Sequence, residues 1–289
     1  MSKIVKELLA NNIDPRRVAL LLDVDGCLTR PNIHKLEIWQ ELVAARITAL
    51  TGGSVALFSD NDMRLIHPML PFMPKISEGG AVTMLDRSRD INHVKIHTST
   101  DSQTITAMVA FAVANLKQQG IHSQDHHTDA THKNKNRIIG EAKQTRMGLN
   151  WGGKDKNLKK IAVAMGYKAL NEFGLSEKFN VVAESFDCVE ITPNGFVKPQ
   201  QINKIIQHPR FKGLDAIMFG DSPIDSMAGE QVAGCVAIGN RMAKAKHIFL
   251  RLASPDENWI ELGKLCDYYE TNSHININRI SLPNIYRVA

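Results

Sequence analysis

Closely spaced cysteines are missing from this sequence. Its cysteines lie far apart, and no C-x-x-C pair occurs; they are Cys27, Cys188, Cys235 and Cys266. A disulfide framework or a zinc ribbon needs cysteine or histidine ligands at short, regular spacing. Neither class of protein is indicated, and we expect the thiols to be reduced.

Long apolar runs are also missing. Residues 1–17 mix apolar side chains with Lys3, Lys6, Glu7 and Asp14. A signal peptide or a membrane-spanning helix needs an uninterrupted apolar stretch, which this segment lacks. We therefore expect a cytoplasmic protein that is not attached to a membrane.

Clustered positive charge is absent as well. The formal net charge is +5, but the lysines and arginines are spread along the chain and form no stripe or tail. The 3 Trp and 4 Tyr residues are too scattered to form a stacking platform for single-stranded nucleic acid. The charge suits a solvated surface or an anionic substrate, so nucleic acid is not an expected partner.

Short apolar runs organise the chain, and each ends in small or acidic residues. They cover Val18–Leu22, Val55–Phe58, residues 188–191 and residues 216–219. Continuous apolar runs of this length are typical of strands that are buried on both faces. Apolar residues recur at helical spacing between the first two runs. The sequence therefore predicts an α/β fold with a parallel sheet, into which we place all four runs.

The chain of 289 residues is long for one domain and short for two large ones. Between the second and third runs it carries a pattern of its own: a predicted strand at 94–96 and predicted helices at 104–116 and 157–173. Residues 123–146 are polar and rich in histidine, and they predict a loop. We interpret this stretch as an inserted α+β domain.

Polar residues follow the strands that we predict for the core. Carboxyl ends of parallel strands meet at one edge of a sheet, so these side chains are expected to converge. In chain order they are Asp23-Val24-Asp25-Gly26-Cys27-Leu28-Thr29, Ser59, Lys198 and Gly220-Asp221-Ser222-Pro223-Ile224-Asp225.

In order, residue type and context, these segments resemble the four motifs of the haloacid dehalogenase-like superfamily. The insertion lies between the Ser59 and Lys198 motifs, the position of a C2-type cap in Cof-type sugar phosphatases. Ser77-Glu78-Gly79-Gly80-Ala81 resembles the start of that cap. The resemblance implies a Rossmann-like core at 1–79 and 187–289 and a cap at 80–186.

The resemblance also implies roles for single residues. Asp23 would attack phosphorus and form an aspartyl-phosphate, and Asp25 would protonate the leaving alcohol and then deprotonate the attacking water. Mg²⁺ would be bound by Asp23, the main-chain carbonyl of Asp25 and Asp221, with Asp225 binding or orienting these ligands.

Phosphate contacts are implied for Gly26, Ser59, Asp60 and Lys198. Two positions depart from the family pattern: Cys27 replaces a common threonine, and residues 60–62 replace a Gly-Arg pair, with Arg64 as a substitute for the arginine.

The resemblance implies a phosphatase that acts on a small phosphorylated metabolite, such as a sugar phosphate or phosphoglycolate. A phosphomutase and a non-catalytic phospho-acceptor or binding protein remain alternatives, and a homodimer is left open. Two further clusters are not interpreted as ligand sites. A solvated loop is favoured for the histidines His122, His126, His127 and His132. An exposed helix face is favoured for the lysines Lys154, Lys156, Lys159 and Lys160.

Overall fold

The computed structural model describes residues 1–30, 35–85, 94–125, 137–151, 155–183, 188–240 and 247–272. Within these ranges the strands form two separate sheets. The predicted α/β fold with an inserted α+β domain is confirmed.

The core sheet has eight strands in the order β13-β12-β11-β1-β2-β3-β4-β5. It is parallel except where β4 pairs with β3 and with β5. The strands are β1 (Val18–Leu22), β2 (Val55–Phe58), β3 (Lys75–Ser77), β4 (Val82–Met84), β5 (Lys95–Ile96), β11 (Asp215–Gly220), β12 (Gly234–Ile238) and β13 (Ile248–Leu252).

Helices cover both faces of this sheet. The side chains of β1 accordingly alternate between two apolar clusters. Leu20 and Leu22 pack with α1 (Lys3–Ala10), α2 (Ile38–Leu50), the short α3 (Met63–Ile66) and α8 (Pro255–Asn272). Ala19 and Leu21 pack with α6 (Lys198–Ile205) and α7 (Pro223–Gly229). A strand that is buried on both faces has to be apolar throughout, which explains why β1 and β2 match their predicted bounds.

The second sheet has the strand order β6-β7-β8-β10-β9. The strands are β6 (His122–Asp125), β7 (Arg137–Ala142), β8 (Met147–Trp151), β9 (Phe179–Val182) and β10 (Cys188–Pro193). Helices α4 (Ser102–Gln118) and α5 (Lys156–Glu172) pack on one face of this sheet. We refer to this sheet and its two helices as the inserted domain.

Three predictions of local structure are corrected, two for strands and one for a loop. The run at 188–191 does not join the parallel sheet, because β10 pairs antiparallel with β8 and β9. Only Val189 and Ile191 of this run face the apolar cluster, so the strand is half-buried. Lys95 and Ile96, from the strand at 94–96 that we placed in the insertion, form β5 of the core sheet.

The third correction concerns 123–146, which is not one loop because it includes most of β6 and all of β7. Its middle, with His126, His127 and His132, lies outside the described residues, as does Lys154. The proposed domain limits at 80 and 186 stay a prediction. No helix in the described ranges is both long and apolar enough to cross a membrane.

Candidate active site

The site lies where β1, β2 and β11 end. Register pairs Leu22 with both Leu57 and Phe219, so the three strands finish at the same level. The backbone N–H of Asp23 extends the sheet by donating to the carbonyl of Phe219 at 2.9 Å. Asp23, Ser59 and Asp221 therefore leave the sheet side by side, as the strand order predicts.

A carboxylate cluster stands at this edge. Ligand oxygens of Asp23, Asp221 and Asp225 all lie within 4.8 Å of one another, and the three side chains are buried. Gly26 makes room for the cluster: it has a φ of 77°, and a Cβ there would lie 2.2 Å from Oδ2 of Asp221. Any other residue at this position would collide with the cluster, which explains the glycine in the turn.

Lys198 is the cation that the described structure places in this cluster. It begins α6, is buried, and its Nζ donates to Oδ1 of Asp23 at 2.7 Å and to Oδ1 of Asp225 at 2.6 Å. Burial lowers the pKa of Lys198, but Asp225, Asp23 and Asp60 outweigh burial and hold it well above its usual range. Lys198 is therefore a fixed positive charge beside Asp23.

Both carboxylate oxygens of Asp225 accept hydrogen bonds. Its Oδ1 accepts from Lys198, and its Oδ2 accepts from the N–H and the hydroxyl of Ser222 at 3.1 and 2.6 Å. The bond from the N–H of Ser222, together with the bond of 3.3 Å that the N–H of Asp225 donates to the Ser222 hydroxyl, forms the capping box that starts α7. Asp225 thus orients Lys198, and Asp23 and Asp221 are the carboxylates better placed to meet a cation.

The cluster fits a divalent metal ion. Burial raises the pKa of Asp23 well above its usual range, and Asp225 and Asp221 add to this effect while Lys198 opposes it. Three buried carboxylates beside one lysine carry excess negative charge, and a second cation would relieve it. All of these donors are hard oxygens, the ligands that Mg²⁺ prefers.

Asp25 lies on the other side of the turn and is partly exposed. Its Oδ2 accepts from the side-chain amide of Asn61 at 2.6 Å, and its Oδ1 accepts from the hydroxyl of Thr29 at 3.5 Å. The environments of Asp23 and Asp25 therefore differ. Asn61 was missed by the sequence analysis; it belongs to the segment that departs from the family pattern.

The remaining predicted phosphate contacts lie in the loop after β2. Ser59 is buried, and its hydroxyl accepts from the N–H of Asn61 at 3.1 Å. Arg64, proposed as a substitute for the family's arginine, pairs with Asp62 of its own helix cap, and its side chain is 59% exposed. This contact places the guanidinium of Arg64 on Asp62 and not on Asp23.

Asp60 faces the inserted domain. Nη1 of Arg146 donates to Oδ1 of Asp60 at 3.1 Å, and Nζ of Lys143 donates to its main-chain carbonyl at 3.0 Å. Nζ of Lys198 lies 3.7 Å from Oδ2 of Asp60. Burial raises the pKa of Asp60, but Lys198, Arg146 and Lys143 outweigh burial and lower it. The carboxylate of Asp60 is therefore anionic and would repel a phosphate group.

The two cations come from the turn between β7 and β8, residues 143–146, which we call the docking turn. Its other anchor is Glu78, a buried residue with a φ of 50°. Glu78 accepts hydrogen bonds from the N–H of Gln144, and from the N–H and hydroxyl of Thr145, at 3.0, 2.8 and 2.6 Å. The docking turn therefore fixes the inserted domain against two parts of the core: Asp60 in the loop after β2 and Glu78 directly after β3.

Comparison with known proteins agrees with this geometry. The sequence model of the haloacid dehalogenase-like hydrolases matches residues 20–254, more than half of the chain. No curated protein sequence matches the chain.

Several solved structures share the fold at low identity. The C-terminal domain of a trehalose-6-phosphate phosphatase from C. albicans has a TM-score of 0.63 at 15% identity, covering 92% of this chain and 98% of that one. A trehalose-6-phosphate phosphatase related protein has a TM-score of 0.60 at 13% identity, covering 88% and 97%. A haloacid dehalogenase-like hydrolase from Bacteroides thetaiotaomicron has a TM-score of 0.54 at 15% identity, covering 88% and 98%.

The family match covers all four motifs, from the strand before Asp23 to beyond Asp225, and the fold has the core and inserted sheet that the resemblance implied. The chain belongs to the haloacid dehalogenase-like hydrolases.

Proposed function

We propose that the protein is a Mg²⁺-dependent phosphatase that hydrolyses a small phosphate monoester through an aspartyl-phosphate on Asp23. The observation that carries this proposal is the placement of Asp23 in a buried carboxylate cluster while Lys198 holds its Oδ1 at 2.7 Å. A carboxylate held in a fixed direction beside a fixed cation suits a nucleophile that has to approach an anion.

Each neighbouring residue then has a distinct task. Asp23 attacks phosphorus, and the phosphoryl group passes to its carboxylate as the bond to the leaving oxygen breaks. Asp25 gives that oxygen a proton and later takes one from the water that releases phosphate. The hydroxyl of Ser59 and the main-chain N–H of Asp60 would hold the phosphoryl oxygens. Gly26, whose own N–H donates to the carbonyl of Thr29 at 2.8 Å, would let the turn approach them.

Lys198 would counter the charge that gathers on the phosphoryl oxygens, and Asp225 keeps it in place through its 2.6 Å contact. Mg²⁺ bound at Asp23, Asp221 and the main-chain carbonyl of Asp25, with Asp225 beside them, would reduce the repulsion between nucleophile and substrate.

The test is phosphate release from a panel of monoesters in the presence of Mg²⁺. Asp23→Asn should lower kcat by at least about 10³-fold, because the amide cannot accept the phosphoryl group. Asp215→Asn is the matched control, since Asp215 is exposed at the start of β11 and should leave kcat unchanged. Wild-type activity in Asp23→Asn would overturn the proposal.

The same assay separates the two alternatives. A phosphomutase would convert a sugar phosphate to an isomer without releasing phosphate. A phospho-acceptor would take up one equivalent of phosphate and keep it. Repeated release of inorganic phosphate from a monoester is the outcome expected of a phosphatase.

A further inference from the structure

Hydrogen bonds within the turn after β1 satisfy only part of its backbone. The turn covers residues 24–29, and we call it the Asp25 turn. The carbonyl of Val24 accepts from three N–H groups of this turn, at 2.9, 3.0 and 3.3 Å. The carbonyls of Cys27 and Leu28 accept from no N–H within the turn, although both residues are buried. Buried carbonyls need hydrogen-bond donors, so these two depend on donors from elsewhere in the fold.

Helix α8 supplies both donors. Nδ2 of Asn258 donates to the carbonyl of Cys27 at 3.1 Å, and Nε1 of Trp259 donates to the carbonyl of Leu28 at 2.7 Å. The two donor residues are adjacent in the sequence, and each is 231 residues from its acceptor and fully buried. Helix α8 therefore meets the Asp25 turn at the two carbonyls that the turn itself leaves open.

The side chain of Asn258 acts as a donor at this place. Its Nδ2 also lies 3.5 Å from Sγ of Cys27, the residue that replaces the family's common threonine. Its Oδ1 has no hydrogen-bond partner among the described residues. A buried amide with an unmet oxygen costs free energy of folding, which the bond to the carbonyl of Cys27 offsets in part. The position thus favours asparagine for its N–H group.

The donors on α8 have a fixed position relative to β1. Trp259, Leu262 and Leu265 of α8 are buried in the same apolar cluster as Leu20 and Leu22 of β1. Side chains that are close-packed in a core have little freedom to move, so a donor among them holds its acceptor in place. The strand that ends before Asp23 and the turn that follows Asp23 are therefore fixed by different parts of the fold.

The Asp25 turn carries several groups of the proposed site. They are the carboxyl group of Asp25, its main-chain carbonyl as an expected Mg²⁺ ligand, and Gly26, which leaves room for Asp221. Asp23 itself is held by the sheet, through the bond from its N–H to the carbonyl of Phe219. A shift of the turn would move all of its groups together relative to Asp23, and a displacement of about 1 Å can cost about 10²-fold in rate.

We propose that Asn258 and Trp259 are positioning residues of the active site. From α8 they hold the carbonyls of Cys27 and Leu28, and so fix the carboxyl group and the carbonyl of Asp25 relative to Asp23. This inference rests on the proposed phosphatase activity and adds to it a role for the last described helix.

The test removes each donor in turn. Trp259→Phe lacks the indole N–H, and Asn258→Ala lacks the amide. Each should lower kcat for p-nitrophenyl phosphate at saturating Mg²⁺ by about tenfold or more, because Asp25 is displaced. KM should change by less than about threefold, since Ser59 and Lys198 do not belong to the turn.

Tyr269→Phe is the matched control on the same helix. The hydroxyl of Tyr269 also donates to a main-chain carbonyl in the core, that of Pro15, at 2.6 Å. Pro15 precedes β1, whereas Asp23 follows it, so this contact lies at the opposite end of the strand. Tyr269→Phe should lose stability in urea as the other two variants do, but keep kcat within about twofold of wild type. Equal kcat in all three variants would overturn the inference.

A calorimetric titration with Mg²⁺ keeps this inference separate from the proposed function. Trp259→Phe and Asn258→Ala should each raise the Kd for Mg²⁺ by about tenfold, because the carbonyl of Asp25 moves, and Tyr269→Phe should leave it unchanged. This pattern supports the positioning role even if no monoester is hydrolysed. An unchanged Kd in both turn variants contradicts the role even if wild type proves to be an active phosphatase. A wild type that neither binds Mg²⁺ nor hydrolyses a monoester overturns both proposals together.

Discussion

Arg146 of the inserted domain donates a hydrogen bond of 3.1 Å to Asp60 of the core, and Asp60 lies 3.7 Å from Lys198 beside the predicted nucleophile. The side chain of Arg146 is 2% exposed. Charged contacts thus connect the inserted domain to the carboxylate cluster. A substitution of Arg146 should therefore change the activity that depends on Asp23.

A double-mutant cycle of Arg146→Gln and Asp60→Asn measures this coupling. Each single change should lower kcat/KM by about tenfold or more, because it leaves a charged partner without its counter-charge. The double variant should lose less than the sum of the two, with a coupling energy of about 1 kcal/mol. Arg16→Gln, which removes an exposed ion pair with Asp14, is the control. Simple additivity would contradict the coupling.

Lys198→Met removes the cation from the cluster. We expect kcat to fall by about 10²–10³-fold, because the developing phosphoryl charge loses a fixed counter-charge. The free energy of unfolding should also fall, by about 3–5 kcal/mol, because Asp23 and Asp225 are left buried without their partner. Lys204→Met, at an exposed position of the same helix, is the matched control. Normal activity and stability of Lys198→Met would exclude the role that we assign to this residue.

Mg²⁺ should stabilise the folded protein. Binding to the carboxylate cluster raises the free energy of unfolding by about 2.7 kcal/mol when the free ion is at 100 times its Kd. Thermal unfolding with EDTA and with increasing Mg²⁺ measures this as a rise in Tm. Asp221→Asn should reduce the rise, and Asp215→Asn should keep it. A Tm that does not respond to Mg²⁺ in wild type would argue against a metal site here.

Much of the fold follows from local pattern. Strands β1 and β2 have their predicted bounds because a parallel strand between two helical layers is apolar at every position. β10 was placed in the wrong sheet because Glu190 interrupts its run only once, and four residues are too few to separate an alternating strand from a continuous one.

Part of the site could also be predicted from the sequence. Proximity of Asp23 and Asp221 follows from strand ends in a parallel sheet. Lys143 and Arg146 were not recognised, and Glu78 was identified only as part of the segment that starts the cap. Their partners lie on the other domain, and no local spacing reports how two domains dock. The order of the motifs along the chain predicts the candidate catalytic residues. The contacts of the docking turn can be identified only from the three-dimensional fold.

Lys75 gives a prediction for pH that is independent of the active site. Its side chain is buried in the core, where Nζ donates to the carbonyls of Leu70 and Met73 at 2.5 and 2.7 Å. Burial lowers the pKa of Lys75 from 10.5 to about 7. Between these values the unfolded chain binds more protons than the folded one, so stability has to rise with pH.

The expected contribution of Lys75 is a rise in the free energy of unfolding of up to about 1.4 kcal/mol per pH unit above pH 7. Urea unfolding of wild type and Lys75→Met at pH 7.0 to 8.5 measures it, because the difference between the two isolates this residue from other titrating groups. The difference should change with pH in favour of wild type. Parallel pH profiles would show that Lys75 stays charged in the folded protein.

The most direct test of the central claim uses Asp25→Asn with p-nitrophenyl phosphate, whose leaving group needs no proton. Asp23 should still be phosphorylated. Release of phosphate should slow, because an asparagine side chain at this position cannot take a proton from the attacking water. Rapid mixing should therefore give a burst of about one equivalent of p-nitrophenolate per enzyme, with the phosphoryl group on the peptide that contains Asp23. Slow turnover without a burst, or a phosphoryl group on another residue, would contradict the account.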